Sequence, residues 1–181
     1  MLNANKTLLK FFSWKPLKLN YWKSYLYSSL ECISLPPSVT DLQEGWCRGA
    51  SCLTKVKISP DSKNFKYLNP DEKIILSKSN QESELFDDII FASSDIEKVE
   101  IPNFIKRIKS YSFYECEFLK TVTFSEKSTV ESICKESFPY SSTENIFIPN
   151  SVKFIGDGAF SWCQNLHNVE FEEGSQLNSA G

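Results

Sequence analysis

Apolar residues recur along the chain as short apolar–spacer–apolar endings that keep a nearly constant separation. The second apolar member falls at the following anchors: Leu35, Ile58, Ile101, Phe124, Ile148 and Phe171. The separations between anchors are 23, 43, 23, 24 and 23 residues, and one step of 23 back from Leu35 reaches Phe12. Because alternate side chains of an extended chain point to opposite faces, each ending predicts a short strand with two inward residues. Proline follows three of the anchors and indicates that the strand ends there.

A second set of apolar residues follows each anchor in the same register. Phe113, Cys116 and Leu119 recur every three residues, and Phe160, Cys163 and Leu166 repeat that pattern. This spacing predicts an inward stripe on a short α- or 3₁₀-helix. A unit of strand, corner, helix and return cannot bury its apolar side alone, but stacked units form a continuous core. We therefore predict an α/β solenoid of about six coils of 23–24 residues over residues 12–181, preceded by an N-terminal segment, 1–11. Each coil is expected to have one strand, with a short helix or an irregular turn on the convex side.

The 43-residue separation indicates an insertion of about 20 residues between Ile58 and Ile101. Within residues 65–90, two apolar runs flank the turn signal that begins at Asn69-Pro70. The segment predicts a β-hairpin or a small three-stranded excursion. Insertions in repeat proteins often project from one face and bind ligands, and a tolerated surface loop is the other interpretation.

The two best copies of the repeat run from Ile101-Pro102 to Phe124 and from Ile148-Pro149 to Phe171. Each contains Phe-x-x-Cys-x-x-Leu followed by x-x-Val-x-Phe. This motif resembles the BspA-like leucine-rich repeat family, over Phe12 to about Leu177. The resemblance implies a leucine-rich-repeat solenoid without catalytic activity, in a family associated with adhesion, surface antigens and protein binding. The family defines no catalytic residues and fixes no ligand.

Composition narrows the functional classes. The net charge of −3 gives no basic face of the kind that nucleic-acid binding needs. No uncharged apolar run approaches the ~18 residues of a transmembrane helix. Residues 1–14 lack the continuous apolar core of a signal peptide, because Lys10 interrupts it. Localisation therefore stays open between the cell surface, which the resemblance implies, and the cytoplasm.

Candidate catalytic and metal-binding residues are few. The single histidine, His167, lies in a column whose residue types predict exposure, and no nucleophile stands beside it in any motif. Asp87-Asp88 and Glu172-Glu173 are expected on the solvated surface. Cys116 and Cys163 occupy one column two coils apart, which is too far for a disulfide and predicts small buried apolar residues. We expect no enzyme, cofactor or metal site.

The exposed faces of the predicted strands remain as the candidate site. The side chains that flank the first apolar member of each strand point away from the core. Eight of them form the candidate site for a protein partner: Lys55, Lys57, Lys98, Glu100, Thr121, Thr123, Phe147 and Glu170. Their mixed charge and single aromatic residue favour non-catalytic protein recognition, as cell-surface adhesion or as an intracellular scaffold. The last coil, which begins at Gln176-Leu177, is incomplete; it predicts either a fragment of a longer array or end-to-end association with another chain.

Overall fold

A computed structural model describes the backbone of Leu17–Leu19 and residues 29–80 and 82–181. The N-terminal segment predicted over residues 1–11, and the register position of Phe12, lie outside the described residues. The described part is built from fifteen short strands. They are β1 Leu17–Leu19, β2 Cys32–Leu35, β3 Val39–Leu42, β4 Lys55–Ile58, β5 Phe65–Tyr67, β6 Ile74–Ser77, β7 Asp88–Ala92, β8 Lys98–Ile101, β9 Arg107–Ile108, β10 Thr121–Phe124, β11 Ser132–Ile133, β12 Asn145–Ile148, β13 Phe154–Ile155, β14 Asn168–Phe171 and β15 Ser179–Ala180.

Each regular coil contributes one strand to each of two faces. The anchor strands form the first face, as the parallel pairs β2–β4, β8–β10 and β12–β14. Seven strands form a sheet on the second face, in the order β15-β13-β11-β9-β7-β6-β5, and β3 pairs separately with β1. In β8 and β12 exposed and buried residues alternate, as the apolar–spacer–apolar pattern predicts. The molecule is a leucine-rich-repeat β-solenoid of about six turns.

The α/β class predicted from the sequence is wrong. The strands are joined by turns, and no helix occurs within residues 17–19, 29–80 and 82–181. Cys116 and Leu119 do donate backbone hydrogen bonds three residues back, at 3.3 and 3.0 Å. However, Glu115 has a φ of 58°, and Trp162 in the equivalent turn has a φ of 61°. A left-handed residue inside the turn interrupts the run of right-handed dihedrals that a helix requires.

The phenylalanines of successive coils stack through the core. The ring centroids of Phe113 and Phe138 lie 4.6 Å apart, and those of Phe138 and Phe160 lie 5.5 Å apart. These distances are close to the spacing of about 4.8 Å between paired strands, so that coil stacking and ring stacking reinforce each other. Phe113 and Phe138 are fully buried. The burial of each such side chain contributes about 1.5–3 kcal/mol to the free energy of unfolding.

The inserted segment forms an antiparallel layer inside the solenoid. β6 pairs with β5 on one side and with β7 on the other, and β7 continues in parallel with β9. β6 and β7 bury side chains on both of their faces. Ile75 and Phe91 pack into the N-terminal core, whereas Leu76 and Ile89 pack into the C-terminal core. The two strands are therefore not a surface loop, because they form a wall shared by two cores.

At the edge of β4 opposite β2, a tyrosine hydroxyl makes hydrogen bonds of the kind that a neighbouring strand would supply. The Tyr67 hydroxyl donates to the carbonyl of Val56 at 2.8 Å and accepts from the amide of Ile58 at 3.0 Å. Burial raises the pKa of Tyr67, which keeps the hydroxyl protonated and able to donate. One side chain of the insert thus satisfies two backbone groups that would otherwise lack a partner.

The expectation that Asp87 and Asp88 are solvated is wrong, because both are buried. Arg107 donates to the two carboxylate oxygens of Asp88, each at 2.8 Å, and also to the carbonyl of Ser79 at 3.0 Å. The hydrogen bonds to Asp88 raise the pKa of the Arg107 guanidinium. Asp87 accepts from the amide of Ser79 at 3.0 Å. The two carboxylates close the base of the loop between β6 and β7, and a buried carboxylate requires such partners.

All six cysteines are free thiols. Cys116 is fully buried, as predicted, and burial raises the pKa of its thiol. Cys163 is half-buried and lies 3.3 Å from the hydroxyl of Ser141, the residue between the two cysteines in the column. Burial also raises the pKa of Cys47, to about 12. Cys116 and Cys47 also pack in the two hydrophobic clusters, and thiols with raised pKa values are poor nucleophiles at neutral pH.

Candidate functional site

The candidate site is the solvent side of the first face. All eight residues of the predicted site are exposed. In β4, β8, β10 and β12 they flank a buried residue that holds the strand in place, such as Val99 in β8 or Val122 in β10. Because the inward residues are fixed by core packing, the outward residues are presented at a regular spacing.

The structure brings the eight residues together in two blocks. In the first block, Lys98 lies opposite Thr121 and Glu100 lies opposite Thr123 in the β8–β10 register. β10 then packs beside β12, whose Phe147 lies opposite Glu170. The second block is β4, which pairs with β2 and carries Lys55 and Lys57. No ladder joins β4 to β8 among the described strands, because the insert enters the chain between them.

Phe147 is the largest apolar group of this face. Its side chain is 49% exposed, although it lies in the middle of a well-packed strand. Its cross-strand neighbour Glu170 accepts a hydrogen bond from Asn168 at 2.6 Å. An exposed aromatic ring within a polar rim is the arrangement of an interface anchor.

The charged groups of the face are partly paired within the chain. Glu100 accepts a hydrogen bond from the hydroxyl of Ser125 at 2.8 Å. Lys55 lies 3.9 Å from Glu72, which belongs to the insert. Lys57 and Lys98 have no ion pair closer than 4.0 Å among the described residues. The N-terminal side of the face therefore has unpaired lysines together with Glu100 in β8. Negative charge lies at Glu170 on the other side.

The structure adds two exposed apolar side chains that the sequence pattern did not indicate. Val169 and Phe171 of β14 are 41% and 45% exposed, although they occupy columns that are buried in β8. The repeat pattern alone could not reveal their exposure, because the exposure of these side chains depends on which residues pack over β14. His167 is exposed, as predicted. The described residues contain no cluster of three or more His, Cys, Asp and Glu side chains able to hold a metal ion.

Comparison with known proteins places the chain in a family. The family model described as "BspA type Leucine rich repeat region (6 copies)" matches residues 84–180, just over half of the chain. The chain belongs to the BspA-type leucine-rich repeat family. A search among curated proteins found no match. Within the described residues, no helix is long and apolar enough to cross a membrane.

Solved structures agree on the fold. A leucine-rich repeat protein from Eubacterium ventriosum matches 79% of this chain and 36% of its own, with 23% identity and a TM-score of 0.64. The pneumococcal vaccine antigen PcpA matches 81% of this chain and 32% of its own, with 24% identity and a TM-score of 0.50. The chain therefore spans about a third of the length of each of these two proteins. At this identity the likeness shows the fold alone.

Proposed function

We propose that this protein is a non-catalytic protein-recognition module that binds a partner through the first face. The observation that supports this most directly is the array of exposed side chains on paired strands, with the exposed ring of Phe147 among them. Glu170 lies opposite Phe147 and supplies a hydrogen-bonding group beside the ring. Thr123 and Glu100 extend the polar surface across β10 and β8. The arrangement has the parts of a protein interface, which are an aromatic anchor, a polar rim and rigid backbone support.

A triple variant tests the role of this face. Lys57→Ala, Glu100→Ala and Phe147→Ala remove exposed side chains, so each is expected to change the stability of the fold by less than about 0.5 kcal/mol. The matched control carries the same residue types on the second face, as Lys109→Ala, Glu131→Ala and Phe154→Ala. Phe154 is 42% exposed, which makes it a close match for Phe147.

The readout is chemical crosslinking and affinity capture from an extracellular protein fraction, followed by binding titration of each captured protein. We expect at least one partner whose affinity falls about 100-fold or more with the first-face variant, as for interface hot spots, and stays unchanged with the control. A partner that binds both variants and the parent equally would contradict the proposal.

We further propose adhesion at a cell surface as the setting of this recognition. The support is family membership, together with a neighbour described as a pneumococcal vaccine antigen. Protease shaving of intact source cells tests it. Loss of the chain, with a cytosolic control spared, is the expected result, and full protection would favour an intracellular scaffold.

A further inference from the structure

Aromatic side chains form a row along the turn side of the solenoid, away from both sheet faces. Tyr114, Tyr140 and Trp162 come from three successive coils. The ring centroids of Tyr114 and Tyr140 lie 6.0 Å apart, and those of Tyr140 and Trp162 lie 6.2 Å apart with planes only 7° from parallel. Tyr140 is 37% exposed and Trp162 is 69% exposed. The C-terminal end of this row is therefore a nearly parallel pair of rings open to solvent.

Tyr140 and Trp162 occupy a backbone position that favours glycine. The equivalent residues of the four turns are Gly49, Glu115, Tyr140 and Trp162, with φ values of 78°, 58°, 63° and 61°. A left-handed conformation costs a bulky L-residue about 1–2 kcal/mol, and glycine avoids that cost. Large aromatic residues in this conformation are unfavourable for folding, and backbone strain of this kind is concentrated at functional sites. Tyr140 and Trp162 thus occupy this position despite its preference for glycine.

The pair lines an open cavity of about 430 Å³. Beside the rings, Glu136 and Asp157 supply acceptors, Lys135 supplies donors, and the hydroxyl of Ser161 can do both. The volume falls within the range of small-ligand sites. The backbone amide of Tyr140 donates a hydrogen bond to the carbonyl of Ser161 at 3.1 Å, which links the two coils beside the cavity.

The cavity has no surplus charge. Its two cationic residues, Arg48 and Lys135, balance its two anionic residues. Arg48 is already engaged, because its guanidinium lies 5.7 Å from the Tyr114 centroid and 3.5 Å from the Glu136 carboxylate. The chain's own cation therefore occupies the N-terminal end of the row and neutralises Glu136. What remains at Tyr140 and Trp162 is an aromatic surface without net charge, edged by the donor Lys135, the acceptor Asp157 and the hydroxyl of Ser161.

We propose that Tyr140 and Trp162 form a binding platform for a neutral saccharide. A sugar ring has one face of C–H groups, which packs on an aromatic plane, and a rim of hydroxyls that both donate and accept hydrogen bonds. The cavity offers that combination, namely parallel rings with donors and acceptors at their edge and no net field to select a charged ligand. This site lies apart from the first face and does not depend on the protein-recognition function proposed for it.

The substitution Trp162→Gly tests the platform without threatening the fold. It removes an exposed ring and places glycine where φ is 61°, so the melting temperature should stay the same or rise. Two matched controls are Glu115→Gly, which makes the same backbone change outside the cavity, and Phe118→Ala, which removes a ring that is 61% exposed elsewhere. The probes are a panel of neutral cello-, malto-, manno- and chito-oligosaccharides, a sulfated oligosaccharide and an arginine-rich peptide.

We expect the parent to bind at least one neutral oligosaccharide in array and calorimetric measurements, with an affinity that is insensitive to salt. Trp162→Gly should weaken that binding about tenfold or more, and both controls should leave it unchanged. Three results would overturn the proposal. They are no binding of any neutral oligosaccharide, neutral binding that survives Trp162→Gly, and binding confined to the sulfated probe or to the arginine-rich peptide.

Discussion

The regular coils and the inserted strands bury their apolar residues in different ways. In β10, Val122 is buried while Thr121 and Thr123 are exposed, so one side of the strand faces solvent. In β7, every residue from Asp88 to Ala92 is buried. A strand of a regular coil thus closes one core, whereas a strand of the insert has a core on each side.

This difference shows how a solenoid can absorb a long insertion without losing its core. The inserted strands enter the second-face sheet through the β7–β9 pairing. Ile75 and Leu76 are neighbours in sequence, yet they pack into separate hydrophobic clusters. The insert therefore couples the N-terminal and C-terminal coils, and a destabilising substitution in it should lower the stability of both hydrophobic clusters.

The largest expected effect comes from truncating the wall itself. Ile75→Ala and Leu76→Ala each truncate a fully buried side chain. Each should destabilise the fold by about 3 kcal/mol, because the loss of apolar burial and the cavity left behind both lower the free energy of unfolding. Leu85→Ala, at a residue of the insert that is 70% exposed, is the control and should change little. Chemical denaturation measures all three. A small effect at both wall positions would mean that the insert is a surface loop.

Breaking the Asp88–Arg107 pair should have the next largest effect. Arg107→Ala leaves the buried Asp88 carboxylate without its main partner, and such losses cost about 3–5 kcal/mol for fully buried pairs. Because the Arg107 side chain is 36% exposed, we expect about 2 kcal/mol after screening by solvent. Lys55→Ala, which breaks the exposed pair with Glu72, should cost under about 0.5 kcal/mol. Equal losses in the two variants would contradict the burial argument.

Tyr67→Phe tests whether a hydroxyl replaces a strand at the edge of β4. The substitution keeps the ring but leaves the Ile58 amide and the Val56 carbonyl without this partner. We expect a loss of about 1–2 kcal/mol and faster hydrogen exchange at Ile58. Unchanged exchange at that amide would show that water satisfies the edge equally well.

The smallest effect is expected in the turns of the regular coils. Glu115→Gly replaces a strained residue, whose φ is 58°, with glycine, which occupies the equivalent position as Gly49. We expect a gain of about 0.5 kcal/mol, because the relief of strain exceeds the added entropy of the unfolded chain. Gly49→Ala makes the opposite change and should be destabilising. A loss of stability in Glu115→Gly would indicate that the glutamate side chain, not the backbone, matters there.

The sequence predicted the repeat and the strands of the first face, because an alternation such as that of Val99 and Ile101 depends only on the strand period. The prediction of one strand per coil is wrong, because each regular coil also contributes a strand to the second face. The helix prediction failed because Phe113, Cys116 and Leu119 have a spacing that a series of turns can also produce. Glu115, which lies between them, has a left-handed backbone conformation, and glutamate is not a residue type that indicates this conformation.

The insert could have been predicted better than it was. The runs Ile74–Leu76 and Ile89–Ala92 are continuously apolar, which is typical of strands buried on both faces. The partners of Asp88 and Tyr67 could not be predicted, since they come from other coils and depend on tertiary packing. The aromatic row was hidden for a related reason, because Tyr140 lies two residues out of register with Trp162 when both are counted from their anchors.

Native-state hydrogen exchange of the amides of β6 and β7 tests the central claim most directly. A wall shared by two cores can open only when both cores open, so the amides of Ile75, Leu76 and Ile89 should exchange at the rate of global unfolding, together with those of Val122 and Ile146. Exchange of the three insert amides well before those of the regular coils would contradict the account and show that the insert opens as a separate, locally unstable loop.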